Sequence, residues 1–222
     1  MFSVQKLFSN IADIYDPMNH LLTFGADKRW RRVSAGLLPR KNTERILDLA
    51  CGTGDFCAEL LRRFPDAKIT GADLTPAMLK IAERKLRGRK NISLECSDAQ
   101  NLDRYECAFF DIVSCAFGFR NFPNRDIALK EASRVLKPGG HLLVLEFFKP
   151  PPILGRITGL WLKTASKIFA GKSSGAYAYL RSSMDQMISI NEFTELAERR
   201  QLKRCKVKKF FPAASVLLFT RQ

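Results

Sequence analysis

The sequence predicts an α/β fold in which a mostly parallel, seven-stranded sheet ends in an antiparallel hairpin. The first observation is an apolar run at residues 46–50 that enters a glycine turn and then a helical pattern. The second is the alternation of strand-like and helix-like segments as far as residue 148, which is typical of parallel sheets. The third is a pair of strand-like segments at 202–210 and 215–220. They are too close together for a crossover, so we expect them to pair antiparallel.

Length and composition limit the class of protein. The 222 residues, 46% of them hydrophobic, fit one globular domain spanning 1–222. No segment of about 18 residues is free of charge and no apolar leader begins the chain, so we expect neither a membrane span nor secretion. The six cysteines form no C-x-x-C pair, which predicts reduced thiols in the cytoplasm and no metal site.

The net charge of +15 is unevenly distributed. From Lys149 onwards there are fourteen Lys or Arg against four Asp or Glu, and seven of these cations lie within 199–209. Such a balance favours an anionic partner, either nucleic acid or an acidic lipid surface. A purely solubilising surface is the alternative.

Residues 1–44 precede the first strand, and their sequence pattern predicts two helices. An apolar stripe at 8–15 marks the first, which Pro17 is expected to end, and the second covers 27–37. These helices either pack against the sheet or form a lid over its ligand-binding edge. The polar residues that favour a lid are Tyr15, Asp16, Asn19 and Arg31.

The glycine turn predicts a ligand site at the carboxyl end of the first strand. Gly52 and Gly54 let the backbone pass close to a ligand, and the helix N-terminus that follows can bind an anionic group. A dinucleotide fingerprint needs a third glycine where Cys57 stands, so S-adenosylmethionine is the favoured ligand. Asp48, inside the strand, suits the ammonium group at the methionine end. A capped turn with a hydrogen-bonded Asp48 is the alternative.

The second strand ends in a carboxylate that suits the ribose of such a ligand. Asp73 ends segment 68–73 and stands 21 residues after Gly52, near the spacing expected for an acid that binds ribose hydroxyls. One carboxylate can accept a hydrogen bond from each of two neighbouring hydroxyls. We therefore expect Asp73 to bind the cofactor.

The adenine end has two further candidates. Thr75 and Pro76 begin a helix in which Met78 either stacks on the adenine or packs in the core. Asp98, after strand 92–96, either accepts a hydrogen bond from the adenine amino group or caps its own loop.

The remaining segments complete the predicted sheet. Strand 109–116 runs into loop 117–122, which should lie beside the glycine turn and face the reacting group. A helix at 124–136 is closed by the breaker cluster 137–140 before strand 141–147.

The last third of the chain carries the basic charge. Residues 149–190 mix apolar and basic side chains, including Trp161 and Phe169, and are expected to form helices inserted over the active site near a membrane. The sequence pattern of residues 191–222 predicts a helix at 191–200, followed by the hairpin.

Three motifs resemble the class I S-adenosylmethionine-dependent methyltransferases, whose sheet is Rossmann-like. They are L-D-L-A-C-G-T-G-D at 47–55, K-I-T-G-A-D-L at 68–74 and R-V-L-K-P-G-G at 134–140. On their own these motifs indicate only the cofactor, and the resemblance implies S-adenosylmethionine.

More specific motifs resemble the ubiquinone/menaquinone biosynthesis C-methyltransferases. These motifs are F-x-x-I-A-x-x-Y-D-x-M-N at 8–19, F-G-F-R-N-F at 117–122 and L-V-L-E-F-F-K-P at 143–150. The resemblance implies methylation of a ring carbon of a polyprenylated quinol, either demethylmenaquinol or the benzoquinol precursor of ubiquinone. It places the family's cofactor positions on Thr53, Asp73, Asp98 and Ala99, whereas Ala116 replaces a family serine. The full set expected to bind the cofactor is Asp48, Gly52, Thr53, Gly54, Asp73, Met78, Asp98 and Ala99.

The same resemblance suggests catalytic roles. Arg120 is a candidate stabiliser of a developing phenolate, with a structural ion pair as the alternative, and Asn121 and Tyr15 are candidates to orient the ring hydroxyls. We expect a cytoplasmic enzyme that contacts the inner face of the membrane transiently. An RNA methyltransferase, a methyltransferase of another pathway and a non-catalytic binding module are the competing classes. The loop A-F-G-F at 116–119 and the lack of a recognisable RNA-binding appendage argue against nucleic acid.

Overall fold

The structure, a computed structural model, describes residues 4–149, 182–183, 186–210 and 214–222. Its helices in these ranges are α1 (Val4–Leu22), α2 (Ala26–Leu37), α3 (Asp55–Arg63), α4 (Pro76–Lys85), α5 (Arg125–Val135) and α6 (Ile190–Glu198), and a 3₁₀ turn covers Phe119–Asn121. Its strands are β1 (Arg45–Leu49), β2 (Lys68–Asp73), β3 (Ile92–Cys96), β4 (Phe110–Ala116), β5 (Leu136–Phe147), β6 (Leu202–Phe210) and β7 (Ala214–Arg221).

The seven strands form one sheet in the order β3-β2-β1-β4-β5-β7-β6. The first five strands of the chain pair in parallel, whereas β7 pairs antiparallel with both β5 and β6. The predicted α/β sheet with its C-terminal antiparallel hairpin is therefore confirmed. Because the strand order reverses between β1 and β4, their carboxyl ends open a crevice of the kind in which α/β sheets bind ligands.

Helices cover both faces of the sheet, and the alternation of side chains along each strand decides which face they meet. In β1, Leu47 and Leu49 pack with α5 and α6, whereas Ile46 packs with α2 and α3. The period of two places Asp48 on the same face as Ile46. The central strands are consequently buried on both sides, and a polar side chain within them needs a partner in the core.

The structure corrects two predicted boundaries. Helix α1 continues past Pro17 to Leu22. Pro17 has no N–H to donate to the Asp13 carbonyl, but both residues lie on the exposed side of the helix. Strand β5 begins at Leu136 and runs through the breaker cluster 137–140. A register shift between β4 and β5 absorbs the irregular backbone there.

The predicted inserted helices lie mainly at 150–181, outside the described residues. Among the residues that are described, no helix combines the length and the apolar character needed to cross a membrane.

Candidate active site

A cavity of about 300 Å³ lies at the carboxyl ends of the parallel strands. It is formed by the loops after β1, β2, β3 and β4 and by one side of helix α1. Its described lining residues are Gln5, Phe8, Tyr15, Ala50, Gly52, Asp73, Leu74, Thr75, Met78, Ser97, Asp98, Ala99, Gln100, Ala116, Phe117, Gly118, Asn121, Phe122 and Pro123. Seven residues predicted for the site line this cavity, namely Tyr15, Gly52, Asp73, Met78, Asp98, Ala99 and Asn121.

The loop after β1 is held in a left-handed backbone that favours glycine. Gly52 has φ +56° and Gly54 has φ +84°. A Cβ at Gly54 would also lie 2.9 Å from a side-chain atom of Leu86, so α3 starts close against the C-terminal end of α4. Ala50 and Phe117, which line the cavity from β1 and β4, also have positive φ, of 51° and 64°. Positive φ at non-glycine residues is backbone strain of the type that clusters at ligand sites.

Asp73 fixes this loop and faces the cavity. Its Oδ2 accepts the Gly52 N–H and its Oδ1 accepts the Thr75 N–H, both at 2.8 Å. Burial raises the pKa of the carboxyl group, although the two backbone hydrogen bonds oppose that shift. The Thr75 side chain also interacts with this carboxylate, and of its about four acceptor sites at least one remains for a hydroxyl donor. Thr75 occupies the N-cap position of α4 as predicted, but its side chain makes no capping hydrogen bond.

The loop after β3 supplies the other end of the cavity. Asp98 Oδ1 accepts the Gln100 N–H at 2.8 Å, and Oδ2 takes no part in this hydrogen bond. Met78 is 2% exposed and lines the cavity, so it packs in the core, and its stacking on an adenine stays a prediction. Ala99 and Leu74 also line the cavity and add apolar surface to it.

Asp48 lies beneath the loop and does not line the cavity. Its carboxylate is 1% exposed and accepts hydrogen bonds from Ser114 Oγ at 2.7 Å and Cys57 Sγ at 3.2 Å. Burial raises its pKa to about 7. Thr53 and Gly54 are likewise outside the cavity lining. The strand period turns Asp48 towards α3, where it is hydrogen-bonded as in the alternative interpretation, and its contact with a methionine ammonium stays a prediction.

Arg120 is buried in an ion pair behind the cavity. Its Nη1 donates to Glu146 Oε1 and to the Phe117 carbonyl, both at 2.7 Å, and the Glu146 side chain is fully buried. Glu146 Oε2 also accepts the Arg120 backbone N–H at 3.2 Å. The ion pair that the sequence left as an alternative is present, and it ties the end of β5 to the turn after β4.

Helix α1 closes one side of the cavity and is attached to the glycine loop. Thr53 Oγ1 donates to Asp16 at 2.6 Å, and Lys85 makes salt bridges with both Asp16 and Asp55. Gln5 Nε2 donates to the carbonyl of Leu74 at 2.9 Å. Helix α1 therefore lies along the ligand-binding edge of the sheet, and its action as a lid stays a prediction. The sequence pattern did not indicate Gln5 or Lys85, because single exposed polar residues on helices carry no local signal.

A second cluster joins the two N-terminal helices. His20 and Arg31 both bond the buried carboxylate of Asp27, and a His20 ring nitrogen, Asp27 and Asp55 lie within 4.8 Å of one another. Arg31 already pairs with Asp27 and Lys85 with Asp55, so these carboxylates serve ion pairs. The sequence reading missed Asp27 and His20, although the Asp27–Arg31 spacing of four is a helix-pair signal.

The cavity suits S-adenosylmethionine. It is lined by two strand-end carboxylates, Asp73 and Asp98, by the apolar side chain of Met78 and by the left-handed glycine loop at Gly52. Its volume lies at the lower end of the range for small-molecule sites. The strand order and this constellation together define a class I methyltransferase whose cofactor is S-adenosyl-L-methionine.

Comparison with known proteins defines the family. The chain matches the ubiE/COQ5 methyltransferase family over residues 2–217, and it belongs to that family. The demethylmenaquinone methyltransferase of Thermotoga maritima is 37% identical over 218 residues, covering 96% of this chain and 93% of the relative. That of Thermus thermophilus is 46% identical over 185 residues, covering 81% and 83%. A solved S-adenosylmethionine-dependent methyltransferase from Thermotoga maritima has a similar fold, with TM-score 0.73, 19% identity and coverage of 99% and 100%.

Proposed function

We propose that this chain transfers the methyl group of S-adenosylmethionine to a ring carbon of a polyprenylated quinol, with demethylmenaquinol as the substrate. The observation that carries the proposal is the aromatic side of the cavity. The same cavity that contains the carboxylate of Asp73 is lined by four aromatic residues, Phe8, Tyr15, Phe117 and Phe122. This apolar wall suits a flat aromatic ring, and the names of the two relatives agree with such a substrate.

The residues of the chain would bind and align the two reactants. When bound, the cofactor supplies a methyl group that its sulfonium already activates, so the chief task of the protein is alignment. Asp73 and Asp98 would hold the ribose and adenine, while Tyr15 and Asn121 would orient the ring hydroxyls, since all four line one cavity. Arg120 would favour the phenolate from behind Phe117. Because Glu146 neutralises much of the Arg120 charge, we assign Arg120 a supporting part.

The direct test is a methylation assay with purified protein. The substrate is a short-chain demethylated naphthoquinol kept reduced with dithionite, and the cofactor carries a labelled methyl group. We expect label on a ring carbon by mass spectrometry, with little product from Asp73→Asn. Label on a ring oxygen, or on added RNA instead of the quinol, would contradict the proposal. A quinone profile of the host with and without this activity then distinguishes menaquinone from ubiquinone biosynthesis.

We also propose that strand β6 brings the cytoplasmic enzyme transiently to the inner face of the membrane. Residues 203–209 are all exposed, and five of these seven are Lys or Arg. Val207, 36% exposed, adds an apolar contact among them. Each cation near an anionic leaflet contributes about 1 kcal/mol. Several such contacts would give reversible binding close to a substrate that resides in the bilayer.

Vesicle flotation tests the membrane contact. Charge reversal of Lys206, Lys208 and Lys209 to Glu should abolish binding to anionic vesicles, and high salt should weaken the binding of the wild type. The matched control reverses Lys41, Lys90 and Lys130, which are also exposed and lie outside β6. If both triple variants float equally, net charge and not β6 is responsible. Binding to RNA without binding to anionic vesicles would favour the RNA methyltransferase instead.

A further inference from the structure

A small recess adjoins the large cavity. It has a volume of about 20 Å³ and is lined by Tyr15, Asn19, Thr23, Asp27, Arg31, Phe117, Arg120 and Phe147. Tyr15 and Phe117 line both spaces, so the recess opens beside the place where the aromatic ring of the substrate would lie. A volume of this size holds about one water-sized group. It therefore fits one ring oxygen and not the ring itself.

Asp27 provides the negative charge of this recess. It is 1% exposed and is the one carboxylate among the described lining residues. Burial opposes its ionisation, but the charge of Arg31 and the hydrogen bonds from His20 and Thr23 outweigh burial and lower the pKa of Asp27. Asp27 is consequently ionised at neutral pH and can only accept hydrogen bonds.

The carboxylate of Asp27 is held in place by three side chains. His20 Nδ1 lies 3.0 Å from both oxygens, Arg31 Nη1 donates at 2.5 Å, and Thr23 Oγ1, which also bonds the Asn19 carbonyl, lies 2.9 Å away. Each oxygen thus has two contacts, so a further hydroxyl would take the place of one of the two contacts that His20 Nδ1 shares between the oxygens. His20 and Thr23 are positioning residues, because they fix the orientation of the Asp27 side chain.

We propose that Asp27 is the specificity-determining residue by which the enzyme selects the reduced, quinol form of its substrate over the quinone. This inference rests on the proposed function. A quinol hydroxyl entering the recess can donate to Asp27 and also accept from Arg31 or Arg120, which line the recess and are each paired with a carboxylate. A quinone carbonyl has no proton, so it can only accept from these cations and meets the Asp27 carboxylate as one acceptor meets another. Sites built to bind a hydroxyl reject analogues that lack it. Only the quinol has the electron-rich ring carbon that attacks the methyl group, so selection in the recess prevents unproductive occupancy by the oxidised ring.

Paired binding measurements test the proposal. Calorimetry on the full chain, with S-adenosylhomocysteine present, compares a short-chain naphthoquinone with its dithionite-reduced naphthoquinol. The wild type should bind the quinol at least about tenfold more tightly. Asp27→Asn presents an amide that can also donate, so the preference should fall to about one or reverse. Asp13→Asn, on an exposed carboxylate of α1, should retain the wild-type preference.

A folding defect would not hide the result. If Asp27→Asn is unstable because Arg31 loses its partner, the double variant Asp27→Asn with Arg31→Met removes the unpaired charge and should show the same loss of preference. An unchanged preference in either folded variant, or no preference in the wild type, would overturn the inference while leaving the methylation proposal intact. A wild type that binds neither ring form would overturn both.

Discussion

Replacing Asp73 with Asn should separate cofactor binding from folding. In the wild type the two Asp73 oxygens accept backbone N–H groups of Gly52 and Thr75 at 2.8 Å each. The amide keeps one acceptor but turns an NH₂ donor towards the other N–H, and it removes the negative charge facing the ribose. Loss of one charge-assisted hydrogen bond costs about 1.5–3 kcal/mol. The Kd for S-adenosylmethionine should therefore rise about 10- to 150-fold.

The chain offers a matched control for this substitution. Asp111 also accepts two backbone N–H groups, from Glu44 and Arg45 at 2.9 Å each, but both bond its Oδ2, its Oδ1 pairs with Lys137, and it lies at the opposite end of the sheet. Asp111→Asn removes the ion pair with Lys137 and should lower thermal stability while the calorimetric Kd stays at the wild-type value. The reasoning is refuted if Asp73→Asn binds the cofactor as tightly as the wild type, or if both variants lose affinity equally.

Three further predictions follow from buried groups. Arg120→Met leaves Glu146 buried without its partner and should lower the free energy of unfolding, measured in urea, by about 3–5 kcal/mol. Adding Glu146→Gln should recover much of that loss, and no recovery would argue against the ion pair. Because burial raises the pKa of Asp48 to about 7 from 3.8, the folded state holds a proton that the unfolded chain releases, so stability falls as pH rises through that window. Asp48→Asn should flatten this fall, and an unchanged pH profile would show that other groups cause it. Gly118→Ala places a Cβ 2.6 Å from the nearest side-chain atom and should reduce both stability and cofactor affinity. Gly36→Ala has no atom within 4 Å of its added Cβ and should reduce neither. Equal effects of the two substitutions would refute the packing argument.

The fold was predictable because its strands have local signals. The strand patterns and the short connection to the last strand define the parallel sheet and its hairpin without tertiary information. The errors came from residues whose effect depends on their surroundings. Pro17 does not end α1, since the freed carbonyl of Asp13 lies on the exposed side. The cluster at 137–140 does not interrupt β5, since the neighbouring strand shifts register beside it.

The candidate site was predictable where the ends of parallel strands decide position. Asp73 and Asp98 follow their strands and line the cavity. Asp48 and Arg120 do not line the cavity, because buried partners fix the orientation of their side chains. Asp48 bonds Ser114, and Arg120 bonds Glu146. Such pairings join residues 66 and 26 positions apart, and no local pattern reports them.

The exposed cations of β6 also affect how copies of the chain meet. β6 is the outer strand of the described sheet, so one of its sides has backbone N–H and C=O groups available to another strand. Lysines on such an edge repel a second copy and discourage sheet extension. An anionic bilayer that neutralises them, as in the proposed membrane contact, would remove this protection. The proposed surface attachment would therefore be coupled to self-association through the same side chains, and neutral substitutions on β6 should promote clustering where charge reversals do not.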